Sequence, residues 1–288
     1  FEELFQQTKA LMWEALIPPD GKFTVTGTSV KSQLHSVPAC QGICKKAIAS
    51  RLGEVYMMET LPETGAEYTV KVTILKDRVT LTVDTSGFGL HKRGYRVKTV
   101  AAPIKETLAA AMVQLSFWNK DRVLLDPCCG SGTIAIEAAM IGRNIAPGLS
   151  RSFACEEWEA IDKKLWKEEK KRAYDLMDNT SKLDIVAIDI DKMAIDAAKE
   201  NAVEAGVDDC IRFINADMSR IKASQPSGII ITNPPYGERI GERKQIAAIY
   251  SKYKKFFAEN PSWSMFIVTT DKDIEGKIFG RKADRRRK

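Results

Sequence analysis

Apolar and polar residues alternate with a period of two along Tyr68-Thr69-Val70-Lys71-Val72-Thr73-Ile74-Leu75 and again along Val79-Thr80-Leu81-Thr82-Val83-Asp84. Lys76-Asp77-Arg78 lies between the runs, so the pair is predicted to fold as a hairpin with one buried face. Residues 23–28 read as a further strand. Residues 38–52 read as a helix carrying Ile43, Ala47, Ile48 and Leu52 on one face. With another helix expected near residues 4–16, residues 1–89 form a small α+β domain.

From Pro103 onward the pattern changes to short apolar runs separated by amphipathic helices. The expected order is helix 103–117, strand 122–125, helix 133–141, strand 185–188, helix 192–205, strand 211–214, strand 229–232, helix 245–257 and strand 264–269. That alternation predicts an α/β domain over 103–288, built on a parallel sheet covered on both faces. Sheets of this kind bind ligands at the carboxyl ends of their strands. An insertion at 142–183 mixes acids and bases at helical spacing, as in Glu159 with Lys163 and Glu168 with Arg172, and is expected to be a solvated helix.

Composition narrows the class. The 288 residues, 44% of them hydrophobic, are enough for two domains with cores of their own. No apolar run reaches the roughly 20 residues that cross a bilayer, and the first residues lack the basic start and cleavage site of a secretory signal. A cytoplasmic protein is expected, with no membrane association. The six cysteines form no C-x-x-C pair and the only histidines are His35 and His91, so neither zinc nor any other metal is expected. Buried or incidental thiols are expected in place of a disulfide framework. Net charge is +6, yet the last eight residues hold six basic groups and one acid. Apart from that tail, basicity gathers in His91-Lys92-Arg93-Gly94-Tyr95-Arg96-Val97-Lys98, which has four cations and no acid. Residues 90–102 therefore read as a basic connector. Its interleaved glycine and tyrosine suit a nucleic-acid phosphate path through Lys92, Arg93, Arg96 and Lys98, and a solubilising surface remains the ordinary alternative.

Four strand ends carry the candidate chemistry. After the fourth, Asn233-Pro234-Pro235-Tyr236 forms a stiff turn, because two prolines fix their own φ angles and restrict the residue before them. The amide oxygen of Asn233 and the carbonyl of Pro234 can accept the two hydrogens of a nucleobase amine, and Tyr236 offers a stacking face. The same four residues also make an ordinary proline-rich turn, so alone they leave both readings open. After the first strand comes Asp126-Pro127-Cys128-Cys129-Gly130-Ser131-Gly132-Thr133, a glycine turn opening a helix. It lacks the features of a P-loop and of a full G-x-G-x-x-G, and alone it is a plain structural turn. Asp189 follows the second strand, where a carboxylate can accept from ribose hydroxyls, and Asp217 follows the third, where it can accept from an adenine amine. Jointly the four are specific.

Residues 103–270 resemble class I S-adenosylmethionine-dependent methyltransferases, whose Rossmann-like sheet is the fold this implies. The residues 126–133 match their first motif and Asn233-Pro234-Pro235-Tyr236 their amino-methylating fourth. More narrowly, His91-Lys92-Arg93-Gly94-Tyr95-Arg96, Ile136-Glu137-Ala138-Ala139, Ala146-Pro147-Gly148 and Tyr236-Gly237-Glu238-Arg239-Ile240-Gly241 resemble bacterial 23S ribosomal-RNA guanine-N2 methyltransferases with an N-terminal THUMP domain. The resemblance implies S-adenosylmethionine as cofactor and ribosomal RNA as partner; no protein partner is inferable. It implies cofactor contacts from Asp126 to the methionine amino end, from the loop at Cys128, Gly130 and Gly132, from Asp189 to the ribose, from Asp217 to the adenine amine, and from Met193 to the adenine ring. Asn233, Pro234 and Tyr236 become the catalytic set, and Arg239 joins the nucleic-acid contacts. The 126-to-189 interval is long for a dinucleotide fold, the hairpin expected at the C-terminal sheet edge is missing and the chain starts with Phe, so truncation at both ends is expected. An adenine-N6 methyltransferase of DNA or RNA shares Asn-Pro-Pro-Tyr and is the first alternative; a non-catalytic RNA-binding module is the second.

Overall fold

A computed structural model of the chain describes residues 1–100, 103–235 and 242–287, without the side chains of 242–245. Two compact units result: Phe1–Gly89 with Ser152–Lys171, and Leu90–Arg151 with Arg172–Lys288.

In the first unit, α1 (Glu2–Lys9) precedes β1 (Lys22–Val30), α2 (Val37–Tyr56), β2 (Glu67–Leu75) and β3 (Arg78–Asp84). The expected helix at 4–16 is interrupted: α1 ends at Lys9 and Trp13–Ala15 forms a separate 3-10 turn. β1 pairs parallel to β2, and β2 antiparallel to β3. The hairpin closes on two residues, since Arg78 already pairs with Leu75. Lys76 and Asp77 both take positive φ (50° and 63°), the conformation that matches a two-residue turn to the strand twist. Alternation along β2 buries Tyr68, Val70, Val72 and Ile74. Tyr68 and Val70 pack in one cluster with Trp13, Ile17, Phe23, Ile48, Leu52, Cys155 and Trp158. Trp158 stacks on Tyr68 with ring centroids 4.8 Å apart, and its indole N–H donates to the Glu67 carbonyl at 3.0 Å. The insertion thus contributes core residues as well as the expected solvated helix.

The second unit contains α3 (Glu106–Leu115), β4 (Leu124–Asp126) and α4 (Thr133–Gly142). After α5 (Lys163–Asp175), which has no buried residue and starts within the first unit, come β5 (Ile185–Asp189), α6 (Lys192–Glu204), β6 (Ile211–Asn215), β7 (Ile229–Thr232), α7 (Glu242–Glu259), β8 (Ser264–Ile267) and α8 (Ile274–Phe279). The sheet order is β6-β5-β4-β7-β8, parallel throughout. Successive strand residues face opposite sides, so Leu124, Ile185 and Ile229 join one core with α3, α4 and α6, while Leu125, Val186 and Ile230 join another with α7 and α8. This is the doubly wound, Rossmann-like arrangement expected from the sequence. Its order reverses between β4 and β7, the switch point where such sheets open a crevice. Among the described residues no helix is long and apolar enough to cross a membrane.

Candidate active site at the strand ends

Asp126 ends β4 with its side chain fully buried. Its Oδ1 accepts the Cys128 N–H at 3.3 Å, while Oδ2 is buried with no hydrogen-bond partner among the described residues. Burial pushes this carboxyl up to about 7; the Cys128 N–H and the nearby Thr232 hydroxyl work in the other direction, and the charge of Asp189 adds to the rise. An unpaired buried carboxylate oxygen is costly to leave unmatched. A cationic amine entering the crevice would match it.

The glycine loop follows directly. Gly130 and Gly132 have φ of 53° and 81°, and a Cβ on Gly132 would lie 2.9 Å from that of Ala198, so neither position suits a larger residue. The loop is tied to β5 twice: Cys129 N–H donates to the Ile188 carbonyl, and Gly130 N–H to Asp189 Oδ2, both at 2.9 Å. Asp189 Oδ1 accepts the Asp191 N–H at 3.0 Å. Beyond this acid, Ile190 and Met193 are 71% and 79% exposed, two apolar side chains with little protein cover. Burial pushes the thiol of Cys128 up to about 12, away from the reactive thiolate form.

Asp217, after β6, is engaged within the fold. Lys252 on α7 donates to its two oxygens at 2.8 and 2.7 Å, Ser219 N–H donates at 2.7 Å, and these partners, Lys252 first, hold the carboxyl down at about 2. An adenine amine reaching Asp217 would share or displace Lys252. After β7, Asn233 is half-buried, Pro234 buried and Pro235 exposed. Thr232, just before them, is fully buried; its hydroxyl receives the Tyr253 O–H at 3.4 Å, and the same phenol lies 3.8 Å from Cys128 Sγ. One α7 side chain therefore touches both the loop after β4 and the end of β7. Tyr236 and Arg239 lie outside the described residues.

Within the cationic segment the two arginines are engaged inside the fold, while the two lysines are exposed. Arg93 pairs with Glu137 on α4 at 3.4 Å, the two side chains 11% and 3% exposed, and Arg96 pairs with Glu106 on α3 at 2.7 Å. Tyr95 is buried between them, donating to Glu137 at 3.0 Å. Gly94 is indispensable to this fold-back: at φ 106°, a Cβ there would lie 2.2 Å from the Ser150 carbonyl oxygen. Lys92 and Lys98 are exposed, the latter 2.5 Å from Glu200. Sequence reasoning did not single out Glu106, Asn201, Lys252 or Tyr253, nor give Glu137 a role. An acid inside the apolar run of α4 was a legible signal for Glu137; no local pattern marks the others, whose partners lie 10 to 125 positions away.

A model of the RMKL-like methyltransferase domain matches residues 93–288, and a THUMP domain model matches residues 1–84. The chain is 48% identical to the putative RNA methyltransferase YpsC of Bacillus subtilis, all of it aligning with 75% of that protein. It is 34% identical to the ribosomal RNA large subunit methyltransferase K/L of Shewanella baltica, of whose length it spans 41%. A putative methyltransferase solved as a complex with SAH superposes with a TM-score of 0.92 at 43% identity, over 99% of this chain and 75% of that one.

Proposed function

Because the chain belongs to the RMKL-like methyltransferase family and carries a THUMP domain ahead of its methyltransferase domain, we propose that it transfers a methyl group from S-adenosylmethionine to guanine N2 of 23S ribosomal RNA in the cytoplasm. In this reading, residues 1–89 grip RNA, 90–102 connect and 103–288 carry out transfer. The observation that carries it is the adjacency of β4 and β7, whose ends bear the glycine loop and the Asn233 turn respectively. Donor and acceptor sites then lie side by side at the switch point.

The unpaired Oδ2 of Asp126 fits the ammonium of the methionine moiety. Asp189 would take the ribose hydroxyls while keeping the glycine loop in place, Gly130 and Gly132 would pass close to the cofactor, and Ile190 and Met193 would cover the adenine ring. Asp217 would accept the adenine amine, with Cys128 lining the methionine end. When bound, the sulfonium supplies an electrophilic methyl. The chain's part is to orient the base: Asn233 and Pro234 accept the hydrogens of the exocyclic amine as charge develops on nitrogen, and fixed dipoles do so without reorganising. Tyr236 would stack on the base, and Lys92, Lys98 and Arg239 would meet phosphate. Alignment supplies the rest of the rate. Held there, the amine gains its N–C bond as the methyl's bond to sulfur breaks to leave the neutral thioether. The proton displaced from the strongly acidic product cation passes to water, so no tuned Brønsted base is needed.

The test is to incubate the protein with labelled S-adenosylmethionine and unmodified 23S ribosomal RNA or DNA, digest the polymer and identify the labelled nucleoside. N2-methylguanosine from the RNA is expected. N6-methyladenosine from either polymer would replace the guanine reading with the adenine one.

A further inference from the structure

The guanidinium of Arg96 is spread over four acceptors. Its Nε donates to Glu106 Oε1 at 2.7 Å, Nη1 to Ser131 Oγ at 3.0 Å, and Nη2 to the Ile104 carbonyl at 3.0 Å and Thr133 Oγ1 at 2.9 Å. Five N–H donors are available to an arginine, so at most one remains for anything else. Two of the acceptors belong to the glycine loop and its helix. Ser131 stands between Gly130 and Gly132, and Thr133 is the first residue of α4.

That loop has little conformational preference of its own, because two of its residues are glycines at positive φ. It is held from outside at Ser131 by two groups. Arg96 takes the hydroxyl, and the buried Asn201 Nδ2 donates to the Ser131 carbonyl at 3.1 Å. Asn201 is in turn bound to the cationic segment: its Oδ1 accepts the Val97 and Lys98 N–H groups at 3.0 Å each, and its Nδ2 donates to the Lys98 carbonyl at 2.9 Å. Segment 96–98 and the glycine loop are thus one hydrogen-bonded body.

We propose that Arg96 is a positioning residue that sets the conformation of the glycine loop for the cofactor, in place of the RNA-phosphate contact its sequence context suggests. The inference rests on the reading of this loop as the cofactor cradle. A planar fork of fixed donors is what spans four acceptors from one side chain; a lysine ammonium is a compact point charge and spans fewer.

Arg96→Lys keeps the charge and removes the fork. Circular-dichroism melting establishes the temperature range in which the variant is folded, and three quantities are read there. The dissociation constant for S-adenosylhomocysteine by calorimetry is expected to rise about tenfold, the fold-change that loss of about one net hydrogen bond gives. The KM for S-adenosylmethionine should rise with it while kcat stays within about twofold. Affinity for in vitro transcribed 23S ribosomal RNA, and its salt slope, should not change. Ser131→Ala should weaken S-adenosylhomocysteine binding severalfold in the wild-type background and add little in Arg96→Lys, because both act through one contact.

Unchanged product binding in folded Arg96→Lys overturns the inference. So does weaker RNA binding with a salt slope smaller by about one and intact product binding, the signature of a lost phosphate contact. If Arg96→Lys does not fold, Ser131→Ala alone decides, and unchanged binding there is equally fatal. A wild-type protein that fails to bind S-adenosylhomocysteine would remove the cofactor reading and this inference together.

Discussion

Asp189 Oδ2 accepts the Gly130 N–H at 2.9 Å, so the acid that ends β5 also holds the loop that leaves β4. One carboxylate therefore shapes the crevice before any ligand arrives. Replacing it should cost more than a single lost ligand contact. Asp189→Ala is expected to weaken S-adenosylhomocysteine binding by at least about thirtyfold, from about 2 kcal/mol for a hydrogen bond to a charged group plus the loosened loop. Titration calorimetry measures it.

Asn233→Ala should separate binding from transfer. Loss of a fixed acceptor aimed at developing charge lowers kcat by about 10²–10³, and S-adenosylhomocysteine affinity should stay near wild type. Equal losses of affinity in Asn233→Ala and Asp189→Ala would contradict the division of roles.

Asp126 should make cofactor binding depend on pH. Its carboxyl is pushed up to about 7 by burial, so below that value it is neutral in the empty protein and must lose a proton to meet an ammonium. Affinity for S-adenosylhomocysteine is expected to climb as pH rises from 6 to about 7, then level off, with proton release detectable in buffers of different ionisation enthalpy. Asp126→Asn should flatten the profile. In the empty protein the raised value has the opposite sign for stability. Between the unfolded carboxyl's ordinary range and about 7 the native state holds a proton that the unfolded chain has lost, so stability falls across that window as pH rises.

Tyr253→Phe removes the phenol that reaches Thr232 and Cys128 without changing the packing of the ring. The Thr232 hydroxyl loses its buried donor, and unfolding free energy in urea should drop by about 1 kcal/mol. A drop in kcat with normal cofactor affinity should accompany it, since the turn bearing Asn233 begins at Thr232.

Gly94→Ala should be more damaging than its exposed position suggests. The added methyl meets a backbone carbonyl at 2.2 Å, and φ there is 106°. A loss of at least about 2 kcal/mol is expected, from backbone strain and the clash together, measurable by chemical denaturation.

The strands and their succession along the chain were largely legible because each carries its own local pattern, whereas their order across the sheets was not. Ile229 to Thr232 is a strand both by its apolar run and in the fold, and the alternation over Tyr68 to Leu75 buries the side chains it marked. Pairing between distant side chains was not legible. Arg93 and Glu137 are 44 positions apart, and Asp217 and Lys252 are 35 apart. A stretch of four cations without an acid looks free in sequence, although two of its arginines are spent on acids of α3 and α4. The same limit hid the packing of Trp158 on Tyr68, since an aromatic residue in a charged insertion gives no hint of which ring it will meet. At the site, single-residue motifs named the strand ends correctly as elements, while the hold of Asp189 on Gly130 needed three dimensions.

The grouping of Ser152–Lys171 with Phe1–Gly89 has a consequence for synthesis. During translation the N-terminal unit cannot finish its core when residue 89 has emerged, because Cys155 and Trp158 have not yet been made. β4 and α4 of the other unit leave the ribosome first. The first unit can therefore complete its core only after α3, β4 and α4 of the other have been made, and a gene fragment cut at residue 89 would encode a protein whose Tyr68 lacks the ring that covers it.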